Sequence, residues 1–573
     1  MKSEDTKNMI MAAVLSMLVI LVWQIYFAPT PPPPVEQVTG QGEQPAAGTV
    51  PLVPTPQVAQ AMTREGALER TGRVLIDTAS IHGSISLKGG RLDDLHLDDY
   101  RETLEAGSDT VTVLNPTGGP NPYYTTYGWL PTQGGYSGAL PDANTDWRLE
   151  AGTTLTPSSP VTLAWDNGDG LTFRRTIAVD EKYMFTVTQE VENTRSGPVN
   201  IAPYGYIARR DLPDVQRLWI LHEGAIGSVD DEQVVIESYD DMLDFSPNAL
   251  EGGNAQAFQV QQNGWAGLTD KYWLTALAAQ PGQGFQMVYK TINPADPEYR
   301  AEIRLPVITV AAGESASVQT FYFAGAKEYR TLIGYEESLG IQKFHEAIDW
   351  GWFYFLTKPL FRLLIWVNDI VGNMGWAIIC LTLLVKAVLF PLAYKSYVAM
   401  SRMKQLQPEM EKIKERAGDD KQKLQTEMMQ LYKKEKVNPA SGCLPILFQI
   451  PIFFSLYKVL FVSIEMRHAP FVGWIEDLSA PDPTSFMNLF GLLPYEIPAI
   501  LALFSIGVYP ILMGVTMWMQ QKLNPAPTDP TQAMIFAWMP WIFMFLLGTF
   551  ASGLVIYWCA NNIITFIQQY AIM

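Results

Sequence analysis

Hydrophobic residues are patterned in three ways along this chain. The first is a run without charge from Met9 to Phe27, holding Leu15, Leu18, Val19, Ile20, Leu21 and Val22 and closing on Trp23, Tyr26 and Phe27. A run of that length spans a bilayer, so it predicts an anchor helix over 9–27 behind a short N-terminal segment, 1–8. Lys2 and Lys7 ahead of it also suit a cleaved signal peptide, but no small-x-small site follows directly, which favours an uncleaved anchor. Residues 28–60, with Pro31 to Pro34, Pro45, Pro51, Pro54 and Pro56, read as an extended tether.

The second pattern has period two and runs through 61–343. Ile85 and Leu87 alternate ahead of Gly89 and Gly90, and Leu95 and Leu97 follow, as in a hairpin. Leu171, Phe173, Ile177 and Val179 repeat the theme, with Asp180-Glu181-Lys182 as the turn and Tyr183, Phe185 and Val187 beyond it. Many short alternating segments separated by Gly, Pro, Asn and Asp predict a large antiparallel β domain of the sandwich type.

The third pattern is helical. Aromatic and apolar residues mixed with Lys358, Pro359, Arg362 and Asp369 predict an amphipathic helix lying in the membrane interface within 344–371. Five spans follow, at 372–394, 443–464, 499–521, 533–550 and 554–573, joined by loops at 395–440, 465–498 and 522–532. The predicted fold class is therefore a membrane protein with an α-helical core of five spans, an N-terminal anchor helix and a large exported all-β domain.

Charge fixes an orientation. Residues 395–436 carry eleven Lys/Arg against seven Asp/Glu, whereas 465–498 carry one Arg against five acids. The positive-inside rule puts the first loop in the cytoplasm and the second outside. The N- and C-termini then fall inside and the β domain outside. The whole chain has a formal net charge of −18, and the stretch 28–345 alone accounts for −19. That balance excludes nucleic-acid binding by bulk electrostatics. Cys380, Cys443 and Cys559 all lie outside the β domain, which rules out a disulfide framework there. Five scattered histidines lack metal-ligand spacing, and no phosphate-loop or nucleophile-elbow motif is present, so neither a metal nor a cofactor is expected.

Within the apolar spans Lys386 is the sharpest feature, about twelve residues into its helix. From there to Lys395 is about 13 Å of helix, roughly twice what a lysine can snorkel. A water-filled cavity is the expected surrounding, since no Asp or Glu occurs in the other spans. Thr382 lies one turn earlier on the same face. Gln449, Thr516, Gln520, Gln521, Asn561, Asn562, Thr565, Gln568 and Gln569 could line the same cavity, with an ordinary interhelical hydrogen bond the alternative for each, while the aromatics Tyr557 and Trp558 read as packing or belt residues. Pro445, Pro451 and Pro540 suit kinked helices that leave space between them. In the basic loop, Met403, Leu406, Met410, Ile413 and Ala417, then Leu424, Met428 and Leu431, predict two amphipathic helices turning at Gly418-Asp419-Asp420. Their methionine-bearing stripe could hold varied apolar segments; a solvated basic face is the other reading.

Several segments resemble the YidC/Oxa family of membrane protein insertases: Leu406-Gln407-Pro408, residues 433–442 followed by Cys443-Leu444-Pro445, Gln449-Ile450-Pro451-Ile452-Phe453, Arg467-His468-Ala469-Pro470-Phe471, and residues 552–558. The resemblance implies a β-supersandwich for the exported domain, similar to galactose mutarotase folds but without catalysis. It also implies a cytoplasm-open groove whose cation, usually arginine, is Lys386 here, with Thr382, Tyr557 and Trp558 at substrate-contacting positions. Trp558 stands where tyrosine is frequent, and Lys386 keeps the charge without the planar fork. Implied partners are nascent membrane proteins, the lipid bilayer, the Sec translocon (SecYEG, SecDF) and the ribosome, although the basic tail that many relatives offer to the ribosome is missing after Ile572. The implied location is the bacterial inner membrane, and the implied activity makes and breaks no bond. Two other readings stay open: a secondary transporter for a small anion, and a tethered sugar-active domain using Asp93, Asp94, Asp98, Asp99 or Glu190.

Overall fold

The computed structural model describes residues 62–132, 135–212, 221–230, 233–418, 420–435, 437, 444–490, 492–493, 505–524 and 530–573. The predicted anchor and tether lie outside these residues. The chain divides into two compact units, one ending at Trp352 and the other beginning at Phe353.

In the first unit, alternation becomes strand. Leu171–Val179 buries every second residue, and its partner Met184–Asn193 continues the pattern. Asp180 forms the turn by accepting hydrogen bonds from the backbone N–H groups of Lys182 and Met184, at 2.9 and 3.0 Å. Ile81–Ser86 pairs with Arg91–Arg101 through Gly89 and Gly90, both at positive φ, where a side chain would be strained.

Among the described residues the strands form a twelve-stranded and a nine-stranded sheet. The larger runs in space through Gly253–Val260, Phe285–Ile292, Glu298–Arg304, Val199–Arg210, Tyr123–Pro131, Arg91–Arg101, Ile81–Ser86 and Arg73–Asp77. The smaller runs through Gly224–Val229, Gly264–Thr269, Trp273–Ala279, Ser315–Ala326, Met184–Asn193, Leu171–Val179 and Val161–Asp166.

Buried polar groups pin one sheet to the other. Arg175, at an inward position of the smaller sheet, donates to the carbonyls of Gly89, Gly90 and Tyr127 and lies 4.6 Å from the centre of the Trp147 ring. Burial pulls its guanidinium down to about 10. Gln189 donates to Gly128 O, and the Tyr289 hydroxyl to Ile226 O.

The larger sheet also carries a buried ionic network. Lys290 meets Glu302 at 2.6 Å, Arg300 meets Glu298 at 2.6 Å, and Arg304 meets Glu302 and Glu251 at 2.7 and 2.5 Å. Burial pushes the Glu302 carboxyl up, but Lys290, Arg304 and Arg300 more than reverse that and hold it at about 2.

The helical segment after the β domain begins later than its aromatic content predicts. Residues Phe344–Ala347 form a short 3-10 turn, and the Phe344 ring packs on Trp265 and Phe323 at 5.2 and 5.3 Å. That ring completes the sheet core, so it stays with the first unit.

The second unit is helical: α1 (Tyr354–Val371), α2 (Met374–Gln405), α3 (Gln407–Ala417), α4 (Lys421–Lys434), α5 (Leu444–Val462), α6 (Val508–Leu523), α7 (Pro530–Leu546) and α8 (Ser552–Ile572). Among the described residues α2 is the one helix long and apolar enough to cross a membrane by length and composition. It runs 32 residues, well past Tyr394, because no glycine or helix-breaking pair interrupts Lys395 to Gln405; Pro408, in the first turn of α3, follows the break. α8 packs on α2 and α6, α7 on α6, and α1 on both α2 and α5. By contrast α5 touches α2 and α8 only sparingly.

Candidate functional site

Three predicted residues on α2, α5 and α8 meet through hydrogen bonds. The Lys386 ammonium on α2 donates to Gln449 Oε1 on α5 at 3.2 Å, and Gln449 Nε2 donates to the Tyr557 hydroxyl on α8 at 3.0 Å. Among the described residues Lys386 has no carboxylate partner, so its charge is met by a neutral amide alone. Gln449 and Lys386 are half-buried and Tyr557 is buried.

One and two turns beyond Gln449, the same face of α5 becomes aromatic. Phe453 stacks on Trp558 at 5.1 Å, Tyr457 on Phe550 at 5.9 Å, and Phe453 on Tyr457 at 6.2 Å. Trp558 is therefore a packing partner of Phe453 on α5. Phe453, Tyr457 and Phe550 were not among the expected site residues, and the signal for the first two was their four-residue spacing from Gln449.

The other predicted lining residues divide. Asn561 and Gln568 each keep a buried side-chain oxygen that makes no hydrogen bond among the described residues, a costly arrangement in a dry interior. Gln520 is half-buried on α6. Thr382 and Thr565 instead return their hydroxyls to carbonyls of their own helices, Ile378 O at 2.7 Å and Asn561 O at 2.6 Å. Thr516 is buried and accepts from Asn562 at 3.3 Å, an interhelical bond between α6 and α8. Gln569 bonds Asn524, and Gln521 bonds Phe536 O.

At the far end of the unit, the loop between α5 and α6 ties down three helix N-termini. Asn373 caps α2 through Trp376 N and donates to Pro470 O and Phe471 O. Asp482 and Thr484 accept from Tyr509 N and Val508 N at the start of α6, at 2.9 and 3.0 Å. Ala480 O and Leu478 O accept from Ser552 N and Gly553 N at the start of α8, at 2.7 and 2.9 Å. Leu478 and Met466 of this loop are fully buried.

Comparison with known proteins decides the family. Residues 73–363 match the family described as YidC periplasmic domain, and residues 366–573 match that described as 60Kd inner membrane protein. The chain is 57% identical to a membrane protein insertase YidC of Dinoroseobacter shibae, over 100% of this chain and 95% of that one. The chain belongs to the YidC family of membrane protein insertases. A second YidC, from Paracoccus denitrificans, is 52% identical over 100% of this chain and 94% of its own length. A solved structure of an active YidC insertase with its first transmembrane domain resolved is similar at 19% identity, covering 98% of this chain and 99% of that one, with a TM-score of 0.37.

The basic hairpin of this chain buries its own apolar stripe. Met410, Ile413 and Leu431 are buried between α3 and α4, with Leu406, Leu424, Met428 and Tyr432 packed against them. The expected exposed methionine stripe is thus the hairpin's own core, because the two helices bury their apolar faces on each other. Met403 lies outside it, on the last turns of α2, and Met429 is the exposed methionine of α4.

In the first unit every acid of the sugar-active reading has a basic side chain beside it. Asp93 pairs with Arg73, Asp94 with Arg64, Asp98 with His82, Asp99 with Lys182 and Glu190 with Arg174. Burial opposes ionisation of Asp94, but hydrogen bonds from His96 and Ser84 and the charges of Arg64 and Arg73 hold it well below the usual carboxylate range. A carboxyl held so far down is a poor proton donor near neutral pH.

Proposed function

We propose that this insertase works through the cleft among α2, α5 and α8. A short hydrophilic, often acidic segment of a nascent membrane protein enters from the cytoplasm and is held near Lys386. The client's apolar segment then moves along the lipid-facing sides of α5 and α8. Burial of roughly twenty apolar residues in hydrocarbon drives its release. No covalent bond changes.

The observation that carries this reading is the Lys386 ammonium, whose partner among the described residues is a neutral amide. A cation so placed is expensive in a membrane and favours an anionic visitor. The unpaired oxygens of Asn561 and Gln568 support a hydrated cleft. On the charge pattern of the loops, we assign the hairpin and both termini to the cytoplasm and the β unit to the exported side of the bacterial inner membrane. The client enters alone or from the Sec translocon, and the hairpin with its neighbouring loops serves the ribosome.

Photocrosslinking from a probe at Asn561 to stalled nascent chains tests this, alongside growth on depletion of the native protein. Crosslinks, with Lys386→Arg supporting growth and Lys386→Glu failing, are expected. Absent crosslinks together with loss of uptake of a small anion in Lys386→Glu would replace the insertase cleft by a transporter site.

A further inference from the structure

Gln449 joins three helices through two hydrogen bonds, and its environment suggests why an amide stands there. α5 leans on α1 and meets α2 and α8 sparingly, and this side chain ties it to both by hydrogen bonds. The amide uses both of its ends. Its oxygen faces the Lys386 ammonium and its nitrogen the Tyr557 hydroxyl, which orients Tyr557 as acceptor. Beyond it the Phe453–Trp558 stack continues the contact as an apolar one.

We infer that Gln449 is a displaceable internal ligand of Lys386. In the resting state its oxygen occupies the ammonium and closes α5 onto α2 and α8. A client carboxylate competes for the same donor and wins, because a hydrogen bond to an ionised acceptor is shorter and stronger than one to a neutral amide. A neutral segment offers no such advantage and leaves the amide in place. Release of Gln449 frees α5 from its polar tie, and the cleft widens only when an acidic segment is present. Specificity for acidic segments thus comes from competition with an amide as well as from attraction to a cation. This inference rests on the reading of Lys386 as the group that receives acidic segments.

The test uses the full chain in proteoliposomes and two clients that differ only in their translocated segment, one carrying two aspartates and the other two asparagines. The readout is the ratio of aspartate-client to asparagine-client insertion, which cancels losses in folded protein. Gln449→Glu supplies a carboxylate that no client can displace, so the ratio is expected to fall at least tenfold. Gln449→Met removes the competitor at similar volume, and the ratio is expected to rise about threefold. A ratio unchanged in both variants, or lowered alike in both, would overturn the competition. Lys386→Gln separates the two levels of the argument: if it leaves the ratio at the wild-type value, the reading of Lys386 itself fails. If it collapses the ratio while both Gln449 variants leave it untouched, only the internal-ligand role fails.

Discussion

Asp482 accepts the backbone N–H of Tyr509 at 2.9 Å while its other oxygen accepts Trp474 Nε1 at 3.1 Å and both donors of Thr484. A single loop carboxylate therefore caps the start of α6 and fixes the turn before it. Its charge also lies at the positive end of the helix dipole. Asp482→Ala strips several donors of their acceptor at once, and a loss of about 2 kcal/mol is expected, seen as a lower Tm of the full chain in detergent. Because the same loop holds α2 and α8, cysteine labelling at Leu478 by an impermeant reagent should rise in that variant. Unchanged labelling and Tm would mean that the loop is held without Asp482.

Gly375, in the first turn of α2, sits against the same loop. A Cβ built there would lie 2.1 Å from the Phe471 ring, far inside contact distance. Alanine is worth about 1 kcal/mol more than glycine inside a helix, but forced repacking costs about 1–3 kcal/mol. Phe471 also packs edge-on against Trp376 at 5.4 Å, so it cannot swing away freely. Gly375→Ala should therefore lower Tm, and Phe471→Ala in the same chain should recover part of that loss. Non-additivity in this double-mutant cycle is the decisive measurement.

The ionic network of the larger sheet predicts acid sensitivity. Glu302 is fully buried and held at about 2, against 4.5 for a free glutamate side chain. A carboxyl depressed on folding contributes stability that is present above pH 4.5 and is lost as pH falls toward 2. Lys290→Met removes the closest cation from Glu302, and about 3 kcal/mol of stability should go with it at neutral pH. Its acid-unfolding midpoint, followed by tryptophan fluorescence, should move to higher pH. A midpoint that stays put would show that Arg304 and Arg300 alone carry the carboxylate.

Much of this architecture is legible in sequence where one residue spacing has one physical meaning. Alternation from Leu171 to Val179 can only bury one face of a strand, and a cation as deep in an apolar span as Lys386 announces a polar surrounding. Side-chain targets are harder to read, because a threonine in a helix has its own i−4 carbonyl always in reach. Thr382 and Thr565 take that option, so their spacing from Lys386 and Tyr557 does not become a shared site. Trp558 is claimed by Phe453, a residue more than a hundred positions away, and no local pattern encodes that stack. Sheet order has the same character. Strands as distant in sequence as Tyr123–Pro131 and Val199–Arg210 lie side by side, with pairing that only the assembled core selects.

The hairpin offers the sharpest separation between a structural and a client-binding stripe. Met410 and Ile413 on α3 close on Leu431 of α4, and Tyr432 lies with its hydroxyl 4.0 Å from the Met410 sulfur. Asp420 caps α4 by accepting from Gln422 N and Lys423 N, so the turn at Gly418 is fixed at both sides. Met410→Ala should cost about 2 kcal/mol of local stability, and amide exchange through 406–434 should quicken about thirtyfold. Met429 is 52% exposed and stands outside this core. Met429→Ala should leave exchange unchanged, so any insertion defect it causes would mark a surface that touches clients. If instead Met410→Ala left exchange unchanged, the two helices would not be holding each other, and their methionines would be free for a client after all.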